Sequence, residues 1–306
     1  MPDESILPSS SRTPQPARAA FRVAAVQMVS SPRVEENLAQ AAALVAAAAA
    51  QGARLVALPE YFGIMGLRET DKVAVRETDG DGPIQRFLAD TARRLGIWLL
   101  GGSVPLECDT EGKVHNSSLL YDDQGQRVVR YDKIHLFALD LGTEKFSEAR
   151  TIVPGREVKV VDSPFGRLGL SVCYDLRFPE LYRAMGPVDI LFVPAAFTAT
   201  TGRAHWEPLL RARAIENLAW VIAPAQGGVH ASGRETHGHS MIVDPWGAVS
   251  AYRAAGAGIV ISEIDPMYQA RMRASLPALE HRTLAGVRSA PTAVIPIDPT
   301  SSIPTS

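Results

Sequence analysis

The chain has 306 residues, 46% of them hydrophobic and 21% charged, which is ordinary soluble usage and enough to bury a large core. A formal net charge of −2 gives no electrostatic footing for nucleic acid or an anionic membrane surface as partner. Two cysteines, Cys108 and Cys173, cannot frame a disulfide scaffold and suit a reducing cytoplasm, and no Cys/His grouping has zinc-site spacing.

Residues 1–20 are rich in Ser, Pro and Ala, with Asp3 and Glu4 early and no apolar stretch of a secretory signal. They read as a disordered arm. Arg22 to Gln27 reads as a strand, followed by an Ala-rich amphipathic helix from Val34 to Gln51. Its apolar run, Ala41 to Ala50, is too short to span a bilayer. The short strand Leu55 to Leu58 ends at Pro59-Glu60. A helix from Pro83 to Leu95 precedes the strand Ile97 to Gly101, and strands Ser117 to Tyr121 and Arg127 to Tyr131 flank the hairpin signal Asp122-Asp123-Gln124-Gly125. Gly166 to Val172 runs into Cys173 and then a helix from Pro179 to Met185. The strand Ile190 to Val193, a helix from Trp206 to Asn217, the strand Trp220 to Ala223, a hairpin at Asp244 to Gly247 and the strand Gly258 to Ile264 complete the pattern. Helix and sheet alternate with no dividing linker. The reading is therefore one α/β domain over residues 21–285, closed by an extended tail over 286–306.

Three apolar strands each release a reactive side chain at their end: Glu60, Lys133 and Cys173. Ligands of α/β sheets bind beyond strand ends, so such residues are candidates to converge. Together they supply acyl transfer with a thiol nucleophile, a carboxylate base and a cation for the oxyanion, joined by the amide N–H of Tyr174. A thiol just before a helix also meets the positive end of a macrodipole, which favours thiolate. The remaining polar clusters have plainer readings. His237 and His239 read as structural rather than metal-binding, and Arg211, Arg213 and Glu216 as a salt-bridged helix face. Trp206, Trp220 and Trp246 read as core or interface packing, and Cys108 as an incidental thiol.

The ordered segments Pro59-Glu60, Tyr131-Asp132-Lys133-Ile134-His135-Leu136-Phe137 and Cys173-Tyr174-Asp175-Leu176-Arg177-Phe178-Pro179-Glu180-Leu181 resemble the nitrilase superfamily of carbon–nitrogen hydrolases, most closely its Nit branch. The resemblance continues through Ala196-Phe197-Thr198, Thr201 to Trp206, Arg211 to Asn217, Gly238-His239-Ser240 and Asp244-Pro245-Trp246-Gly247. It implies a four-layer αββα sandwich, a homodimer or larger homo-oligomer, and a Glu-Lys-Cys triad carried onto Glu60, Lys133 and Cys173. Glu148, in Phe146-Ser147-Glu148, is implied as support for Lys133 and the substrate amide. Arg177 and Thr201 are implied to bind a substrate carboxylate, with Phe197 beside them. The implied activity is hydrolysis of a small carboxylate-bearing linear amide through a cysteine thioester with release of ammonia, without metal or organic cofactor.

Within the branch, hydrolysis of deaminated glutathione and ω-amidase action on α-ketoglutaramate compete. Ala195-Ala196-Phe197, Arg211 to Asn217 and Ala225-Gln226-Gly227 resemble the former type. Ala138, a short segment from Asp140 to Glu148, Gly228 and His237 depart from the branch pattern and touch specificity rather than the triad. N-carbamoyl amino acids are a further substrate class. The alternatives of other kinds are a catalytically idle dimeric binding module and a thiol enzyme using His135 or His205 as base.

Overall fold

The computed structural model describes residues 18–142, 145–283 and 293–295. Most of the expected N-terminal arm and C-terminal tail lies outside them. Arg18, within the expected arm, reaches Asp189 at 3.4 Å. Ala293–Ile295, within the expected tail, pairs in parallel with Lys159–Val161 and so belongs to a sheet.

Two seven-stranded sheets form the centre. In the first, Phe21–Gln27, Ala53–Ala57 and Trp98–Leu100 run parallel in that order. Gly258–Ile264 closes one side antiparallel, and the hairpin strands Val114–Tyr121 and Arg127–Asp132 extend the other with Val104–Glu107. The second sheet is centred on the parallel strands Gly166–Leu170, Ile190–Phe192 and Trp220–Ala223. Lys159–Ser163 flanks them on one side, and Ser240–Val243 with Val249–Arg253 on the other.

Strand periodicity explains the layers. Successive side chains of a strand face opposite ways, and in the first strand Val23 and Ala25 enter one buried cluster while Ala24 and Val26 enter another. The first cluster lies between the sheets, where Leu55, Ala57 and Leu100 meet Val160, Leu168, Leu170, Ile190 and Phe192, and it carries on to Leu181, Tyr182, Trp206 and Leu210 of the helices behind the second sheet. The second cluster packs Val56 and Leu99 against Ala41 and Val45 of helix Val34–Ala50 and Ile84 and Leu88 of helix Pro83–Leu95. Both faces of the strands are covered, which is why they read as continuous apolar runs rather than alternating ones. The result is the expected αββα sandwich.

Helix Ala199–Asn217 begins earlier than its apolar pattern suggests, because the Thr198 side chain caps it by accepting from the Thr201 N–H at 3.3 Å. The extra turns bring Thr201 to the mouth of a cavity.

Candidate active site

Glu60 lies just beyond Ala53–Ala57. Leu58 prolongs that strand by donating to the Leu100 carbonyl at 2.9 Å, and the chain then turns through Pro59. Gly102 allows the turn: a Cβ there would stand 2.0 Å from the Pro59 carbonyl oxygen, so no larger residue fits under the Glu60 loop. Tyr61 follows in the left-handed region, φ +57°, with its N–H donating to Ser103 Oγ at 2.9 Å. Lys133 leaves the end of Arg127–Asp132, its N–H tied to the Asn116 carbonyl at 3.0 Å. Cys173 also has positive φ, +52°, and its N–H donates to the Pro194 carbonyl at 2.9 Å. Such conformations are uncommon for residues with a side chain and gather where a local structure must hold a reactive group.

The three expected residues meet. Lys133 Nζ donates to Glu60 Oε1 at 2.8 Å and contacts both Glu148 oxygens, Oε1 at 2.9 Å and Oε2 at 2.8 Å. Asn116 Nδ2 donates to Glu60 Oε1 at 3.0 Å, and the Ala196 N–H donates to Glu60 Oε2 at 3.0 Å. Glu148 is fixed in turn by the Tyr61 hydroxyl at 2.8 Å and the Phe137 N–H at 2.7 Å. Glu60 and the Cys173 thiol line the same cavity. Lys133 is fully buried beneath this array. A buried charge is tolerated only when paired and hydrogen-bonded, and here one ammonium serves two carboxylates.

The electrostatics overturn one expectation. Burial pushes the Cys173 thiol well above its ordinary 9.0, the Glu60 carboxylate pushes it further, and Lys133 opposes both. Cys173 opens a five-residue 3-10 turn, Cys173–Arg177, and the six-residue helix Pro179–Ala184 begins only after it. Burial, reinforced by the Glu60 carboxylate, outweighs that distant short dipole, so the resting sulfur is a thiol. The Lys133 ammonium is driven upward by Glu148 and Glu60 against burial, and Glu148 is held below its ordinary 4.5 mainly by Lys133 despite its own burial. Lys133 makes two hydrogen bonds, one to each carboxylate, and contacts the second Glu148 oxygen as an ion pair. An ammonium carries three donors.

A narrow cavity of about 10 Å³ opens on the thiol. Its lining holds Glu60, Glu148, Cys173, Tyr174, Arg177, Phe197 and Thr201, which are the expected site residues apart from the buried Lys133. Arg177 donates to His205 Nδ1 at 3.1 Å and its guanidinium lies 5.4 Å from the Phe197 ring centre. Phe197 is braced by Trp206.

The sequence reading missed Asn116, Tyr61, Asp175 and Arg234. Tyr61 was signalled only by following Glu60. Asp175 lies inside the Cys173 segment and is fully buried. It accepts from the Tyr131 hydroxyl at 2.7 Å and the Val172 N–H at 2.8 Å on one oxygen, and from the His135 N–H at 3.0 Å on the other. His135 Nδ1 lies 2.8 Å from that second oxygen, and its ring stacks on Phe178. Neither His135 nor His205 lines the cavity, so neither is placed as a base. Arg213 keeps the expected salt bridge but is buried. It donates to the Leu176 carbonyl at 2.8 and 3.1 Å and pairs with Glu216 at 2.8 Å, bracing the nucleophile turn. Trp206 and Trp220 are core residues, whereas Trp246 is exposed. The His237 and His239 rings stack on each other at 4.1 Å, and no metal-capable cluster occurs among the described residues.

Residues 22–274 match the family profile described as carbon-nitrogen hydrolase. A deaminated glutathione amidase of Synechocystis is 44% identical over 268 residues, covering 86% of this chain and 98% of the relative. The crystal structure of the Caenorhabditis elegans NitFhit protein superposes with a TM-score of 0.80 at 38% identity, covering 87% of this chain and 66% of that one. Saccharomyces cerevisiae Nit3, described as a member of branch 10 of the nitrilase superfamily, superposes at 0.79 with 28% identity, covering 89% of this chain and 100% of its own.

Proposed function

This chain belongs to the carbon–nitrogen hydrolase family and is an amidase of the nitrilase superfamily, and from that premise we propose that Cys173, Glu60 and Lys133 hydrolyse deaminated glutathione or a close analogue. The observation that carries the assignment is the shared carboxylate: Glu60 lines the cavity with the Cys173 thiol and bonds the Lys133 ammonium at 2.8 Å.

Because the resting sulfur is protonated, Glu60 takes its proton as the thiol attacks the amide carbon. The oxyanion forms beside the Tyr174 N–H, which sits in the first turn after Cys173 and so lacks a partner within that turn. Lys133 keeps Glu60 and Glu148 together and turns its remaining donor and its charge to the oxyanion. Glu60 returns its proton to the departing nitrogen and then activates the water that cleaves the thioester. Deaminated glutathione has only secondary amides, so the group expelled is the amine of a peptide fragment, where a primary amide would release ammonia. Arg177 and Thr201 hold the carboxylate of the acyl part against the Phe197 wall.

A rapid-quench reaction with deaminated glutathione, followed by mass spectrometry of the digested protein, tests the scheme. An acyl adduct on the peptide containing Cys173 is expected. Steady turnover with acylation at another residue, or none, would sink it.

A homodimer and a cytoplasmic setting belong to the same reading. Exposed Ile215, Trp246 and Tyr252 support the first, and two free cysteines support the second. Sedimentation at micromolar concentration, with monomer as the adverse result, checks the dimer.

A further inference from the structure

We propose that Arg234 anchors a carboxylate on the leaving-group side of the scissile amide, so that the preferred substrates are dianionic amides with an acid at each end. This inference rests on the amidase reading above and deepens it.

The cavity at Cys173 is small. Sites that enclose a whole drug-sized ligand usually measure about 300–1,000 Å³, and this one measures only about 10 Å³. A substrate must therefore extend beyond it. A basin of about 360 Å³ adjoins it, and among the described residues Arg234 is the one that lines both.

Arg234 is presented by the hairpin of Gly227–Val229 and Glu235–His237. Its carbonyl accepts from the His230 N–H at 2.9 Å, and the buried His230 ring spans Ser30 and Thr236, which stiffens the turn. The guanidinium donates from Nη2 to the Ala196 carbonyl at 2.9 Å and lies 5.1 Å from the Phe146 ring centre. Its Nε is buried with no hydrogen-bond partner. A buried donor left unmade costs about 1–3 kcal/mol, so the position favours an arriving acceptor.

The other cations of the basin already have acids. Arg68 pairs with Asp71, Lys72 with Glu69 and Lys145 with Asp140. Arg234 has no carboxylate partner among the described residues, and neither has Arg177 in the reaction cavity. A planar guanidinium with free donors recognises a carboxylate by paired hydrogen bonds. Arg177 is thus available to the acyl carboxylate and Arg234 to a second one beyond the amide. The Ala196 peptide links this second anchor to the chemistry, since its carbonyl holds Arg234 while its N–H holds Glu60 Oε2, the carboxylate that protonates the departing nitrogen.

The test compares deaminated glutathione with its C-terminal carboxamide, and includes α-ketoglutaramate, whose leaving group is ammonia. In the wild-type protein the acid is expected to exceed the carboxamide in kcat/KM by at least about tenfold, carried in KM. Arg234→Gln should bring that ratio to within about twofold, and Arg234→Lys should keep only part of it, because the charge remains but the paired hydrogen bonds are lost. Equal rates on acid and carboxamide by the wild-type protein overturn the inference alone, with no variant needed. A ratio that persists in Arg234→Gln while both rates fall makes Arg234 a positioning residue for Ala196, and also overturns it. A wild-type protein inert on all three substrates overturns the amidase substrate reading and this inference together.

Discussion

Two buried polar clusters grow from the same segments of chain and serve opposite ends. Residues 131–135 send Lys133 toward the cavity side, while Tyr131 and His135 turn to Asp175. The nucleophile turn sends Cys173 to the cavity and Asp175 the other way. Residues 131, 133 and 135, like 173 and 175, would share one face of a regular strand; they part because Lys133 lies just past the strand end and Cys173 opens a 3-10 turn at positive φ. The Asp175 cluster is sealed, with every carboxylate oxygen engaged by donors. The Glu60 cluster has two carboxylates against one ammonium and opens on a thiol. A saturated buried network fixes geometry; an unbalanced one facing a cavity stores a proton acceptor.

The strongest way to break this contrast is to remove the sulfur. Cys173→Ala should lower turnover by about 10⁴-fold or more with little loss of stability, since a small apolar side chain suits the site. Amide cleavage assayed beside denaturant unfolding checks it, and retained turnover would overturn the division of roles.

Lys133→Met should be the most damaging to the fold. It leaves Glu60 and Glu148 buried without their cation, a cost of about 3–5 kcal/mol. Adding Glu148→Gln should recover part of that loss in urea unfolding. Additive losses would show that the charges do not act as one unit.

Asp175→Asn tests the bracing face. It should cost about 1–3 kcal/mol, because Asn cannot accept from Tyr131, Val172 and His135 together. Turnover should fall by about 10²-fold with KM nearly unchanged, as the turn shifts the sulfur. A change confined to KM would place Asp175 in substrate binding instead.

The pH response sharpens the comparison further. With the Cys173 thiol raised, its contribution to stability is present below its ordinary 9.0 and falls as pH rises beyond it. Lys133, also raised, loses its contribution only above its ordinary 10.5. Glu148 is lowered, so its contribution is present above 4.5 and is lost as pH falls through its depressed value. Iodoacetamide alkylation of the free protein should therefore climb through pH 9 without levelling. A plateau near neutral pH would reveal a resting thiolate.

The smallest effect is expected at Cys108→Ser, within about 0.5 kcal/mol and without change in turnover, because that thiol touches only the Thr110 carbonyl, at 3.5 Å. Thermal unfolding checks it.

Much of this architecture was readable along the chain. Helix Pro83–Leu95 carries its own proline start and glycine stop, and the strands Phe21–Gln27 and Gly258–Ile264 are long apolar runs, so local pattern determined them. The triad residues were also visible, as polar side chains released at strand ends within motifs of a known family. The sequence did not disclose that burial holds the Cys173 thiol protonated, that Lys133 bridges Glu60 and Glu148, that Asp175 and Arg213 brace the Cys173 turn, or that Arg234 lines two cavities. Each of these depends on partners distant in sequence, such as Glu60 with Ala196 or Asp175 with Tyr131. Periodicity is written in neighbouring residues, but desolvation and close charge pairing arise only when packing brings separate strands against one another, and those two effects shift Cys173, Lys133 and Glu148.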